Sequence, residues 1–249
     1  MGFCQGNVLE VFSSIQGEGL LVGCRQLFVR LGGCNLACRY CDTQSSRQRQ
    51  ISCNIETYPG SRHFHQVANP LAVDALAGYI QALCSVRHHS ISFTGGEPLL
   101  QGDFLFALLK TLNNLPVPKY LETNGTLSTE LHKIIDLIDI IGMDIKLPSV
   151  TGTEHWSEHH EFLKAARDKN IFVKIVVAEQ TPQSELDRAV ELIAHINRRI
   201  PLVLQPITPT HSGVGVPTPE QILAMQEAAL KVLEDVRVIP QTHKILGQL

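Results

Sequence analysis

Three cysteines carry the strongest chemical signal in the 249-residue sequence. Cys34-Asn-Leu-Ala-Cys38-Arg-Tyr-Cys41 places three thiols within eight residues, on a segment entered through Gly32-Gly33. Three thiolates on one short loop can hold three irons of a cubane and leave one iron without a protein ligand. Zinc is the metal alternative, although its structural sites are usually closed by four ligands. A Cys-x-x-Cys pair taken alone also permits a thioredoxin-like redox site. Three buried small side chains are the ordinary alternative, which the surrounding Gly and Asn suit poorly. The other four of the seven cysteines, Cys4, Cys24, Cys53 and Cys84, have no ligand spacing. Cys84 falls on an apolar helical stripe and belongs to the core. An odd cysteine count with no secretion signal argues against a disulfide framework.

Composition narrows the classes. Hydrophobic residues make up 44% and charged residues 18%, with a formal net charge of −3. That balance excludes a strongly basic polynucleotide binder and a highly charged disordered chain. No apolar run approaches the ~18 residues of a membrane span. The first six residues resemble neither a secretory signal nor a myristoylation site. The expectation is a soluble, cytoplasmic chain that binds no nucleic acid and no membrane.

The elements that must position the cysteines alternate in type. Strand-like runs occur at Gln26–Leu31, Ser90–Phe93, Lys119–Glu122, Ile140–Ile145, Ile171–Val177, Leu202–Gln205 and Val236–Ile239. Asn69-Pro70 offers an N-cap and a first-turn proline to a helix carrying Leu71, Ala75, Leu76, Ile80 and Leu83. Helical patterns follow near 103–112, 128–138, 157–168, 183–198 and 218–233. This alternation predicts an α/β fold with a parallel sheet, open or curled into part of a barrel, as one domain over 1–249. Such folds place their sites at the C-terminal strand ends. Residues 44–68 are polar and read as a long inserted loop beside the site.

The cysteine spacing, with Tyr40 just before the last thiol, resembles the radical S-adenosylmethionine superfamily. Thr94-Gly95-Gly96-Glu97-Pro98, closing the next strand, adds to the resemblance. Further blocks resemble the 7-carboxy-7-deazaguanine synthase family across nearly the whole chain: Ser14–Gly19, Phe28–Leu31, Cys41–Thr43, Glu122–Thr126, Asp144–Lys146, Leu204–Ile207 and Gln241–Lys244. The resemblance implies a modified partial (β/α) barrel, a homodimer, and conversion of 6-carboxy-5,6,7,8-tetrahydropterin to 7-carboxy-7-deazaguanine and ammonia in queuosine-type deazapurine biosynthesis. It also implies a [4Fe-4S] cluster on Cys34, Cys38 and Cys41, S-adenosylmethionine on the open iron, Mg²⁺ on Thr43, and an electron donor such as flavodoxin or ferredoxin.

Residue roles follow from the same resemblance. Ile15, Gln16, Gly17, Glu18, Arg30, Thr94 and His243 are implied to bind the pterin. Tyr40, Asp42, Gly96, Glu97, Glu122, Asn124, Asp144, Ile145, Lys146, Gln205, Pro206 and Ile207 are implied to bind S-adenosylmethionine. Several roles have a physical rationale. Arg30 lies opposite Val29 and Leu31 on its strand, and a guanidinium suits a planar carboxylate; a strand-end salt bridge is the alternative. A hard cation such as Mg²⁺ takes only one or two protein oxygens, although Thr43 also suits a helix cap. Asn124-Gly-Thr126 fits a glycosylation sequon that a cytoplasmic chain never presents. The His pairs 88–89 and 159–160 read as exposed rather than metal-binding, and Met143 and Met225 as packing residues. Two other functions share the cysteines: a glycyl-radical activase and a structural zinc-binding adaptor.

Overall fold

The structure is a computed structural model that describes residues 4–41, 43–208 and 214–248. Its strands are β1 (Gln5–Gly6), β2 (Val8–Ile15), β3 (Arg25–Leu31), β4 (Ser52–Glu56), β5 (Phe64–Ala68), β6 (Leu71–Ala72), β7 (Ser90–Gly95), β8 (Lys119–Thr123), β9 (Ile140–Asp144), β10 (Asn170–Val177), β11 (Leu202–Pro206) and β12 (Val236–Val238). Its helices are α1 (Val73–Leu83), α2 (Gly102–Thr111), α3 (Ser128–Ile134), α4 (Pro148–Thr151), α5 (Trp156–Ala166), α6 (Gln183–Ile196), α7 (Pro219–Leu230) and α8 (Thr242–Ile245).

Among the described residues, ten strands form one sheet in the order β12-β11-β10-β9-β8-β7-β3-β2-β4-β5. From β12 to β3 every neighbouring pair is parallel. The sheet is open, since β12 and β5 are its two edges. Architecture and alternation therefore agree with the expected partial (β/α) barrel.

Side-chain alternation separates the two faces of the sheet. On β8, Leu121 enters the large core with the helices, while Tyr120 and Glu122 face the other way. The same period holds on β9 for Met143 against Asp144, and on β10 for Val173 and Ile175 against Phe172 and Lys174. The helix-facing core includes Leu27, Val29, Phe93, Leu76, Ile80 and Leu105. Opposite it, Tyr120, Ile140, Phe172 and Val203 form a small apolar cluster capped by Leu20 and Leu21. This plug closes the lower end of the concave face and leaves the C-terminal strand ends open. Met143 and Met225 are buried packing residues as expected.

Four local expectations need correction. Residues 44–68 are not one irregular loop: a 3-10 turn at Gln44–Arg47 leads into the antiparallel β4–β5 hairpin, which joins the sheet through parallel β2–β4 pairing. Only Cys53 and Ile55 supply buried apolar side chains to β4, too few to stand out among polar neighbours. The buried Glu56 carboxylate organises the hairpin turn, accepting from the Gly60 and Arg62 N–H groups as well as from Ser13 N. Second, β2 was not anticipated, because Val11, Phe12, Ser13 and Ser14 are all buried and a strand covered on both faces shows no alternation.

Third, Asn69-Pro70 does not start α1, which begins at Val73. The Asn69 amide instead mimics a strand partner, accepting from Val8 N at 3.1 Å and donating to Val8 O at 2.8 Å. Fourth, His88 and His159 are buried rather than exposed. His88 Nε2 meets Ser13 Oγ at 2.9 Å and His159 Nε2 meets Asn124 O at 3.1 Å. Burial pushes both imidazoles down, His159 to about 4, so they are held neutral.

The Asn69 clasp yields a prediction. Asn69→Ala strips both polar partners from Val8, so urea unfolding should show a loss on the order of 2 kcal/mol. A loss under about 0.5 kcal/mol, the range of an ordinary surface change, would contradict a structural role.

Candidate active site

The cysteine loop is fixed to the sheet by backbone contact. A Cβ on Gly95 would overlap the Leu31 carbonyl, and one on Gly96 would overlap the Gly33 carbonyl. Gly95 also has φ +132°, where side chains are strained. The contact is bonded: Gly96 N donates to Leu31 O at 3.2 Å and Glu97 N to Gly33 O at 2.9 Å. Farther along, Asn124 Nδ2 donates to Asn35 Oδ1 at 2.9 Å, and Asn35 Nδ2 donates to Thr126 Oγ1 at 2.8 Å. Arg39 N reaches Val150 O at 3.1 Å. The loop is thus tied to β7, to the end of β8 and to α4.

Cys34, Cys38 and Cys41 are free, partly exposed thiols that line one cavity. Burial pushes the Cys34 and Cys38 thiols up, and the other sulfurs add to the rise; Lys146 pulls both back. Cys34 and Cys38 are thereby held as thiols, and bound iron would reverse that penalty. Among the described residues, no three His, Cys, Asp or Glu side chains converge on a single-ion site. Separated thiols facing one space fit a cluster better than one zinc ion.

The cavity is a cleft enclosing about 1570 Å³, solvent at its mouth included. Its second wall is the turn after β2. Gln16 is buried, and its Nε2 donates to Gln26 Oε1 at 2.9 Å and to Glu122 Oε1 at 2.7 Å. Gln16 Oε1 accepts from Glu18 N at 3.0 Å. The Glu122 carboxylate also takes Ser92 Oγ and, at 2.7 Å, Thr94 Oγ1. Gln16, Thr94 and Glu122 therefore form one hub, which places Glu122 beside residues expected on the pterin side.

Arg30 does reach the cavity, with Val29 and Leu31 in the core on the opposite face. It is not an unpaired charge, because Nε donates to Glu10 Oε1 at 2.7 Å and the guanidinium lies 5.7 Å from the Phe12 ring centroid. The strand-end salt bridge and the cavity position coexist. Ile15, Gly17, Glu18 and His243 lie on the same lining. Gly17 must be small there, since a Cβ would strike His243.

The residues expected around S-adenosylmethionine divide. Tyr40, Gly96, Asn124, Asp144, Lys146, Gln205 and Ile207 line the cleft. Glu97, Ile145 and Pro206 are not on that lining, and Asp42 lies outside the described residues. Glu97 sits fully buried, accepting from Leu99 N, Asn124 N and Thr123 Oγ1. Burial lifts its carboxyl to about 7 against those hydrogen bonds. It supports Asn124, whose carbonyl His159 holds from the other side. Ile145 is core, its N–H given to Lys174 O. Two acceptors on the cleft-lining residues, Asp144 Oδ1 and Gln205 Oε1, are buried with no hydrogen-bond partner. Such orphans fit a ligand bearing an amine and an adenine, as S-adenosylmethionine does. Thr43 lines the cleft at the N-cap of the Gln44–Arg47 turn, with its carbonyl, not its side chain, making the turn's bond to Ser46.

Several lining residues had no place among the expected site residues. Phe28, Tyr120 and Phe172 make flat apolar walls, and Tyr120 and Phe172 stack at 6.2 Å. Gly142 keeps the space open, since a Cβ there would overlap the Tyr120 hydroxyl. Lys174 and Gln241 also line the cleft. The one visible sign of Lys174 was a lone charge in the apolar run Ile171–Val177.

Comparison with known proteins agrees with this geometry. The sequence pattern of the Radical SAM superfamily matches residues 28–193. A 7-carboxy-7-deazaguanine synthase of Geobacter sulfurreducens is 47% identical over 244 residues, covering 96% of both chains. One of Methanothermobacter thermautotrophicus is 36% identical, again with 96% of each chain covered. The crystal structure of QueE from Escherichia coli shares the fold, with TM-score 0.63 at 18% identity over 97% of this chain and 96% of that one. Nothing in these matches favours an activase or a zinc adaptor. The chain belongs to the radical S-adenosylmethionine superfamily and, within it, to the family of 7-carboxy-7-deazaguanine synthases.

Proposed function

We propose that the chain converts 6-carboxy-5,6,7,8-tetrahydropterin to 7-carboxy-7-deazaguanine and ammonia. The observation that carries this reading is one cleft in which the three thiols face the Gln16–Glu18–Arg30 wall. Bound there, the cluster and S-adenosylmethionine supply a reducing electron and a hydrogen-abstracting radical. The protein's own part is orientation and exclusion of water. Arg30, steadied by Glu10, offers its guanidinium to the substrate carboxylate. Phe28, Tyr120 and Phe172 offer faces to a flat ring. Asp144 and Gln205 present their orphan oxygens to the amine and adenine of S-adenosylmethionine, with Lys146 near its carboxylate. Thr43 offers a hydroxyl to Mg²⁺.

The reading extends to a homodimer, to a cytoplasmic setting and to a one-electron donor of the flavodoxin or ferredoxin type, each supported by family membership. A formal charge of −3 supports a free small molecule as substrate over a polynucleotide. No helix among the described residues is long and apolar enough to cross a membrane.

The experiment is anaerobic turnover of reduced, iron-reconstituted protein. Carboxypterin, S-adenosylmethionine and Mg²⁺ should yield 7-carboxy-7-deazaguanine and an equal amount of ammonia by mass spectrometry. Cys38→Ala should lose the cluster's visible absorption and all product, while Cys84→Ala, a change at the half-buried C-terminal end of α1, stays active. No product from the natural protein, or full activity in Cys38→Ala, overturns the assignment.

The Mg²⁺ role has its own test. Thr43→Val keeps the shape and removes the oxygen, so turnover should fall by about tenfold or more at normal iron content, as when a metal's ligand environment is disturbed. An unchanged rate in that variant, or after chelation of divalent cations, removes Thr43 from the metal site.

A further inference from the structure

Lys174 sits in the middle of β10 with its side chain on the cleft. Its Nζ donates to Glu18 Oε2 and forms an ion pair with Asp144 Oδ2 at 3.1 Å. Asp144 Oδ2 also accepts from Lys146 Nζ at 2.7 Å. At the other end, Glu18 Oε1 accepts from Gln241 Nε2 at 2.6 Å. The result is an alternating chain, Lys146–Asp144–Lys174–Glu18–Gln241, that links the wall near the cysteines to the C-terminal segment. Lys174 is its only link between the two carboxylates among the described residues. Its side chain is 17% exposed, so its charge depends on those partners.

We propose that Lys174 is a positioning residue for substrate: it fixes the Glu18 carboxylate so that the lone pairs left over accept the adjacent N–H groups of the aminopyrimidinone edge of the pterin. The proposal rests on the substrate assigned above. A carboxylate offers about four acceptor positions, and Lys174 and Gln241 occupy one on each oxygen. Two positions remain, matching a forked pair of donors. The Glu18 backbone is held independently through Gln16 Oε1, so the turn keeps its place while the carboxylate depends on Lys174.

The charged and titratable groups around Glu18 are Lys174 on β10, Asp144 on β9, Tyr120 and Glu122 on β8, and His243 and Lys244 on α8. Burial alone raises the Glu18 carboxyl, yet Lys174 and Gln241 bring it down to about 2. In the natural protein Glu18 is therefore ionised throughout the neutral range, and substrate affinity should not vary with it. Without Lys174, burial and the facing carboxylates push the group up. It then takes a proton as pH falls and loses acceptor capacity.

The test is calorimetric titration of the cluster-loaded protein with carboxypterin between pH 8 and 5.5. In Lys174→Met, affinity should weaken about tenfold or more at pH 8, the loss of one charge-assisted contact, and weaken further toward pH 5.5. Lys174→Arg keeps the cation and should bind within about threefold of the natural protein with a flat profile. The double variant Glu18→Gln with Lys174→Met leaves Glu18 no charge to compensate, so it covers the case in which Lys174→Met does not fold. It should bind weakly at every pH. Natural affinity in Lys174→Met, or a pH dependence that persists in the double variant, overturns the role of Lys174. If the natural protein itself fails to bind carboxypterin, the substrate assignment falls and this proposal with it.

Discussion

The contact between two glycine pairs sets the geometry of the whole site. Gly32-Gly33 leave β3 and Gly95-Gly96 leave β7 so close together that a single Cβ on either of the latter would meet a backbone carbonyl. Neighbouring parallel strands thus hand their chain ends to each other by backbone hydrogen bonds before any side chain is involved. The cysteine loop begins at this junction, and its direction over the cleft follows. Asn35 then fixes its far side to Asn124, whose backbone is in turn held by Glu97 and His159. These supports explain why two groups with shifted protonation, Glu97 and His159, lie beneath the site rather than in it.

A second constraint is electrostatic. The concave face carries Glu18, Glu122, Asp144, Lys146 and Lys174 as mostly buried side chains lining the cleft. Isolated charges are costly in such a place, and alternation of sign makes the set tolerable. The carboxylates and cations are consequently pre-oriented toward ligands rather than free to relax. The apolar plug of Tyr120, Phe172 and Val203 lies below them.

How much was legible in the sequence depends on which force set each feature. Cys34, Cys38 and Cys41 were legible because ligand spacing is local. The parallel strands and their helices were legible because short apolar strand-like runs alternate along the chain with longer helical patterns. Strand β2 was not, being covered on both faces, and the β4–β5 hairpin was not, because Glu56 and backbone bonds hold it more than apolar burial does. Asn69-Pro70 looked like a helix start because local capping chemistry and long-range pairing with Val8 use the same amide. Glu97 carried the motif, and its carboxylate is buried on Leu99, Thr123 and Asn124 behind the cleft lining. Lys174, Tyr120, Phe172 and Gly142 matter through contacts across the sheet, which spacing along the chain does not display.

The thiol wall and the Gln16–Glu18–Arg30 wall line one cleft, and the proposed function requires that cleft to hold cofactor and substrate together. Equilibrium dialysis of the cluster-loaded protein with both ligands isotopically labelled measures this directly. The proposed function requires one S-adenosylmethionine and one carboxypterin bound per chain at the same time, with neither displacing the other. Mutual exclusion of the two ligands would contradict it.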